Sequence, residues 1–128
     1  MPDMSGTAGR SEQAPDQTTA SAVADGGVIQ YEASGAWVVI AHGAYDMHSI
    51  TPLASALDSA AGKHPKVVLD TSGVTFADST LLNLLIRTHR AVTLRVAAPG
   101  PQLQRLLEIT GVDTLLQTRA TVAEAVAS

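Results

Sequence analysis

Apolar and polar positions change period several times along the chain, and each change marks an element. Val28 to Glu32 and Trp37 to Ala41 are rich in β-branched and aromatic residues, with Ala33-Ser34-Gly35 between them. That pattern predicts two strands joined by a turn. Gly43-Ala44-Tyr45-Asp46 then reads as a loop. From Ile50 to Ala61 the period becomes helical, with Ile50, Leu53, Ala54, Leu57, Ala60 and Ala61 in step. Gly62 is the expected stop, and Pro65 precedes the next strand. Val67 to Asp70 is a short apolar strand suited to a sheet interior. A short polar loop follows it.

Ser79 to Arg90 reads as a second helix, and Thr93 to Ala97 as another strand. Pro99-Gly100-Pro101 is a turn, Gln102 to Ile109 a short helix, and Gly111 its C-terminal cap. Val112 to Leu116 is expected to include a small strand, and Thr121 to cap a last helix running to Val126. Strands alternate with helices, so parallel pairing with right-handed crossovers is expected. The opening hairpin makes the sheet mixed. The expected fold is α/β, with about four to five strands, about four helices and an N-terminal β-hairpin. Residues 1–27 show no period and are rich in Gly, Ser, Thr, Ala, Pro and Gln, so they read as a disordered tail before one domain at 28–128.

The second helix carries the most distinctive position. Ser79 stands behind Asp78 at the helix start. The first N–H groups of a helix lack partners inside it, and the peptide dipoles leave partial positive charge there. A serine oxygen can cap those groups. A phosphate on the same serine would meet the same donors and bring about −1.5 to −2 charges. Further along, Leu82 and Leu85 point one way, with Leu81 and Ile86 on the flanks. Asn83, Arg87 and Arg90 fall on the opposite face with Ser79. Leu84 falls outside the main stripe, between Thr80 and Thr88. Two readings follow: a contact with a neighbouring element, or part of an exposed apolar patch beside Ser79. Tyr45 is expected to be half-buried, and each aspartate can equally serve as a local cap.

Composition narrows the function. At 128 residues the chain suits one domain rather than two. Hydrophobic residues make up 45% and aromatics only 3%, so the core must be built from Leu, Val, Ile and Ala. The formal net charge of −4 argues against nucleic acid or an anionic membrane as partner. There is no cysteine, which removes disulfide and thiol chemistry. No long apolar run and no basic-then-apolar leader is present, so a cytoplasmic protein is expected. His42, His48, His64 and His89 lack metal-ligand spacing. Ser79, His89 and Asp46 do not make a triad: there is no Gly-x-Ser-x-Gly elbow, and ten helical residues separate His89 from Ser79 by about 15 Å. No enzyme, cofactor or metal is expected.

Three blocks resemble a STAS domain of the bacterial anti-sigma factor antagonist kind. They are Gly43-Ala44-Tyr45-Asp46; Asp70-x-Ser72-x-Val74-x-Phe76-x-Asp78-Ser79-Thr80; and Ala98-Pro99 followed by Arg105-Leu106-Leu107 and Thr110-Gly111-Val112. The middle block is the most specific, and together they span about Val28 to Val126 in order. The resemblance implies that Ser79, with Thr80 as the alternative, accepts phosphate from an anti-sigma factor that is also a GHKL-type kinase. The unphosphorylated form would bind that kinase and free a sigma factor. The phosphorylated form would let go, and a PP2C-type phosphatase would reset it. Asp46 and Asp78 map to acidic positions bordering the acceptor. Thr80, Leu81, Asn83, Leu84 and Arg87 join them as expected partner contacts. Leu81 departs from the family, which usually has glycine there. The alternative is a STAS scaffold in a stress-signalling or lipid-transport assembly, with Ser79 unmodified. A monomer and a weak dimer are equally compatible with the residues.

Overall fold

The computed structural model describes residues 23–25 and 28–128. Among the described residues the sheet has six strands: β1 (Val23–Asp25), β2 (Val28–Ala33), β3 (Ala36–Tyr45), β4 (Lys66–Ala77), β5 (Thr93–Ala97) and β6 (Gln117–Arg119), in that spatial order. The helices are α1 (Thr51–Lys63), α2 (Ser79–Ala91), α3 (Pro101–Thr110) and α4 (Val122–Ala127). β1, β2 and β3 pair antiparallel, whereas β3 to β6 pair parallel. The mixed α/β sheet and its hairpin follow the expected plan. One strand is additional: β1 lies in the segment read as a tail. The rest of that segment, residues 1–22 and 26–27, lies outside the described residues.

The hairpin turn between β2 and β3 is two residues long. Ser34 and Gly35 both have positive φ, at 49° and 86°. That geometry matches the right-handed twist of the flanking strands. Strand alternation then sends side chains to two cores. Val39, Ala41, Val67, Leu69, Leu94 and Val96 face a large core completed by α1, α2 and α3. Ala36, Val38, Val68 and Ala97 face a smaller one closed by Ala125 of α4. The period of two along each strand is what divides them. The larger core is aliphatic apart from Tyr45, as the scarcity of aromatics requires. Trp37 sits at its border, its indole N–H donating to Gln30 Oε1 at 2.8 Å and its ring stacked on His64 at 4.6 Å.

Several boundaries differ from the pattern-based expectation. Gly43 to Tyr45 continue β3 rather than forming a loop. β4 runs on past Asp70 to Ala77, so the expected polar loop is also strand. Polarity misled here because residues beyond Asp70 lose β5 and pair with β3 alone, through two register shifts. The paired positions in that stretch are largely half-buried or exposed, so no apolar run marks them. Gly73 lets the strands approach there: a Cβ would fall 3.0 Å from His42 Cδ2 and 3.2 Å from the Ala41 carbonyl oxygen. α1 runs through Gly62 and ends at His64. Val112 to Thr114 form a 3₁₀ turn, and the small strand comes after it. Gly111, with φ of 77°, and Thr121, accepting from Glu124 N–H at 3.1 Å, cap α3 and α4 as expected.

α2 buries more of its surface than one stripe. Leu81, Leu82, Leu84, Leu85 and Thr88 are all buried. The helix is flanked by α1 on one side and by β4 and β5 beneath, so two faces are covered. Leu84 is therefore a core residue, and the reading of it as an exposed docking patch is wrong. Truncation should show this directly. Leu84→Ala is expected to destabilise the fold by about 2–5 kcal/mol in a denaturant titration. A cost below about 0.5 kcal/mol would contradict its burial.

Candidate functional site

The site forms where β3 and β4 end together. Tyr45 pairs with Ala77, so Asp46 and Asp78 leave adjacent parallel strands at the same level. Neighbouring strands are spaced about 4.8 Å, which brings the two acidic residues onto one edge of the molecule. Tyr45 is buried rather than half-buried, and its hydroxyl accepts the His42 N–H at 2.9 Å. This bond anchors the end of β3 from below.

Asp46 organises its own turn. Its Oδ1 accepts the N–H groups of His48 and Ser49 at 2.9 and 3.1 Å, and the Ser49 hydroxyl at 3.2 Å. The His48 N–H is the chief reason that the carboxyl is held below the ordinary aspartate range; desolvation opposes it, and the Ser49 hydroxyl and N–H add to the lowering. Asp46 is thus a carboxylate whose oxygen is largely committed to local structure.

Asp78, not Ser79, caps α2. Its side chain accepts the Thr80 N–H at 2.9 Å, and its backbone is extended, as an N-cap requires. Ser79 occupies the first helical position and is exposed. Its hydroxyl is in none of the hydrogen bonds among the described residues. The explanation of Ser79 as a mere cap is thereby removed. Thr80 is half-buried, which makes its hydroxyl less accessible than that of Ser79.

The remaining expected contacts separate cleanly. Asn83 and Arg87 are exposed on the Ser79 side of α2, spaced four residues apart. Arg87 also donates to both carboxylate oxygens of Asp58 on α1, each at 3.1 Å. Both side chains are well exposed, so this pair contributes at most about 1 kcal/mol. Leu81 and Leu84 are buried at 0% and 2% exposure and cannot touch a partner. Their assignment as contact residues is corrected for the reason given above: α2 packs on two neighbours.

Two apolar residues do reach the surface here. Met47 is 72% exposed beside Asp46, and Phe76 is 46% exposed beside Ala77. Phe76 lies within the middle block of the resemblance, yet a strand alternation broken by bulges did not reveal which way it points. Gln102, at the start of α3, also belongs to the site. Its side-chain amide bonds both backbone groups of Ala77, and no residue pattern announces that.

This mixed sheet, with acidic residues at the ends of two adjacent parallel strands and a serine opening the helix that follows one of them, agrees with a STAS domain. The chain belongs to that family: the family model described as "Mlab, STAS domain" matches residues 29–117. Among solved structures it resembles an anti-sigma factor antagonist from Mycobacterium paratuberculosis, with 28% identity, a TM-score of 0.73, and coverage of 78% of this chain and 90% of that one. A structure of an anti-sigma factor antagonist from Thermotoga maritima shares the fold at 14% identity and a TM-score of 0.70, covering 77% of this chain and 90% of that one. So does the phosphorylated form of the Bacillus cell fate determinant SpoIIAA, at 17% identity and a TM-score of 0.60, covering 78% and 96%. No curated protein sequence matches the chain. No helix of the described residues is long and apolar enough to cross a membrane.

Two measurements test the local geometry. Asp78→Ala is expected to cost about 0.5–2 kcal/mol of stability through loss of the cap, whereas Ser79→Ala is expected to be close to neutral. Equal losses would mean that both residues cap. Asp46 has a folded-state value lower than its unfolded one, so its contribution is present above the unfolded value of about 3.9 and is lost as pH falls through the folded one. The backbone amide resonances of His48 and Ser49 should therefore shift on acidification with a midpoint below about 3.9. A midpoint above about 4.5 would show that those bonds do not favour the carboxylate.

Proposed function

We propose that this STAS domain is an anti-sigma factor antagonist that works by partner switching at Ser79. Unphosphorylated, it binds a GHKL-type kinase that is also an anti-sigma factor and so releases a sigma factor. Phosphorylated on Ser79, it dissociates, and a PP2C-type phosphatase restores it. The observation that carries this reading is the exposed Ser79 at the first position of α2, relieved of capping by Asp78. The solved SpoIIAA structure, described as the phosphorylated form, lends support from a relative with the same fold.

The surroundings suit such a switch. Met47, in the turn held by Asp46, supplies exposed apolar surface that a partner can cover, and Asn83 and Arg87 supply polar contacts along α2. A phosphate added among them would have to be desolvated on binding, close to the carboxylates of Asp46 and Asp78. Moving a partner from about 99% bound to about 1% requires a differential of roughly 5.5 kcal/mol. Burial of a dianion next to two acidic residues acts in the required direction.

A second reading follows from the matched family, whose description names Mlab rather than a sigma-factor pathway. In it the domain is a scaffold that binds its partners with Ser79 unmodified. The two readings separate in one experiment. Wild type and Ser79→Asp are used as paired baits in lysate of the native cell, and captured proteins are identified by mass spectrometry. Partner switching predicts an ATP-binding, kinase-like protein held by wild type and bound about 100-fold more weakly by Ser79→Asp. Ser79→Ala should bind and carry no phosphate. Identical captures on both baits would favour the scaffold.

A further inference from the structure

Beyond Asp70, no strand among the described residues lies on the β5 side of β4, because the β4–β5 pairing ends at Asp70 and Ala97. Ala77 is buried at 1% exposure, so its backbone groups on that side need partners other than bulk water. Gln102 supplies both. Its Nε2 donates to the Ala77 carbonyl at 2.8 Å, and its Oε1 accepts the Ala77 N–H at 3.0 Å. A side-chain amide presents one donor and one acceptor in a plane, as a neighbouring strand does, so Gln102 acts as a one-residue substitute for that strand. The clamp is rooted in a fixed element, since Leu103 and Leu107 seat α3 in the main core. Its target immediately precedes the Asp78 cap and stands two residues before Ser79.

We infer that Gln102 is a positioning residue for Ser79: by fixing Ala77 it sets where α2 begins and how the Ser79 hydroxyl is presented to a kinase. This rests on the reading of Ser79 as phosphoacceptor. In that transfer Ser79 Oγ bonds to the γ-phosphorus of a nucleoside triphosphate and the bond to the β-phosphate oxygen breaks. The nucleoside diphosphate leaves, and the hydroxyl proton passes to a base on the kinase. Phosphoryl transfer depends on in-line placement of the attacking oxygen, so a displaced helix start slows it. The structure of α3 thereby becomes part of the acceptor site, although α3 carries no acceptor itself.

The test uses the full chain with Gln102→Met, which keeps length and loses the amide, and with Gln104→Met as a control on the same helix. Gln104 bonds only Glu108, at 2.9 Å, among the side chains of α3. Amide hydrogen exchange is read at Ala77, and the rate of phosphate gain on Ser79 is followed by mass spectrometry in native-cell lysate supplied with ATP. Gln102→Met should exchange Ala77 about tenfold faster and gain phosphate about tenfold more slowly, with Gln104→Met like wild type on both. Unchanged exchange at Ala77, faster exchange with a wild-type rate of phosphate gain, or an equal slowing by Gln104→Met would overturn the inference and leave the phosphoacceptor reading intact. A wild-type chain that gains no phosphate on Ser79 would overturn both.

Discussion

The parallel pairing of β3 with β4 is the constraint on which the site depends. It is longer than the other pairings of the sheet, and its far half is irregular. The register shifts after Ile40 and Gly43 leave Tyr45 opposite Ala77, which sets Asp46 and Asp78 level. A slip of one residue would turn every side chain of the terminal stretch to the other face. Asp46 and Asp78 would then no longer leave their strands level with each other. The irregularity is held from several sides: by Gly73 beneath His42, by the Tyr45 hydroxyl on the His42 N–H, and by Gln102 on Ala77. These supports come from residues far apart in sequence, which is why the terminal geometry is a property of the whole fold.

At the helix start, two adjacent residues divide two tasks. Asp78 takes the structural one, satisfying an N–H that the helix leaves unpaired. Ser79 is left with an exposed side chain at the positive end of α2. Were Ser79 the cap, modifying it would compete with the fold. Because Asp78 is the cap, charge can be added at Ser79 with little effect on helix formation, and its effect is confined to what binds there. On the proposed function, this separation is what allows a switch that alters affinity without altering the fold.

Much of this was legible in the residues. The alternation of strands and helices, the Ser34-Gly35 turn, the Gly111 and Thr121 caps and the start of α2 follow from local chemistry that needs no tertiary information. The course of β3 and β4 past Ala41 and Asp70 was not legible. Those stretches are polar and partly exposed, and their pairing comes from the register of a partner rather than from an apolar period. Leu84 was ambiguous for a related reason. A helical wheel assumes one buried face, whereas α2 packs against both a sheet and a helix. Gln102 was invisible, since a glutamine at a helix start looks like any exposed polar residue until its amide is seen on Ala77.

Leu81 shows how burial can change the meaning of a departure from a family pattern. The family resemblance expects glycine two residues after the acceptor, and a leucine there suggests an obstacle to a partner's approach. In the fold Leu81 is 0% exposed and lies in the main core. Its side chain therefore points into the core, whereas Ser79 is exposed. Leucine at this position removes the flexibility of a glycine in the first turn, worth roughly 0.8–1 kcal/mol of helix propensity. It also adds buried apolar area near the helix start. The substitution consequently stiffens the start of α2 beneath Ser79, and on the proposed function it leaves partner contact to exposed residues such as Asn83 and Arg87. On that proposal, specificity for one partner over another rests on exposed residues and on the turn held by Asp46, not on the buried Leu81.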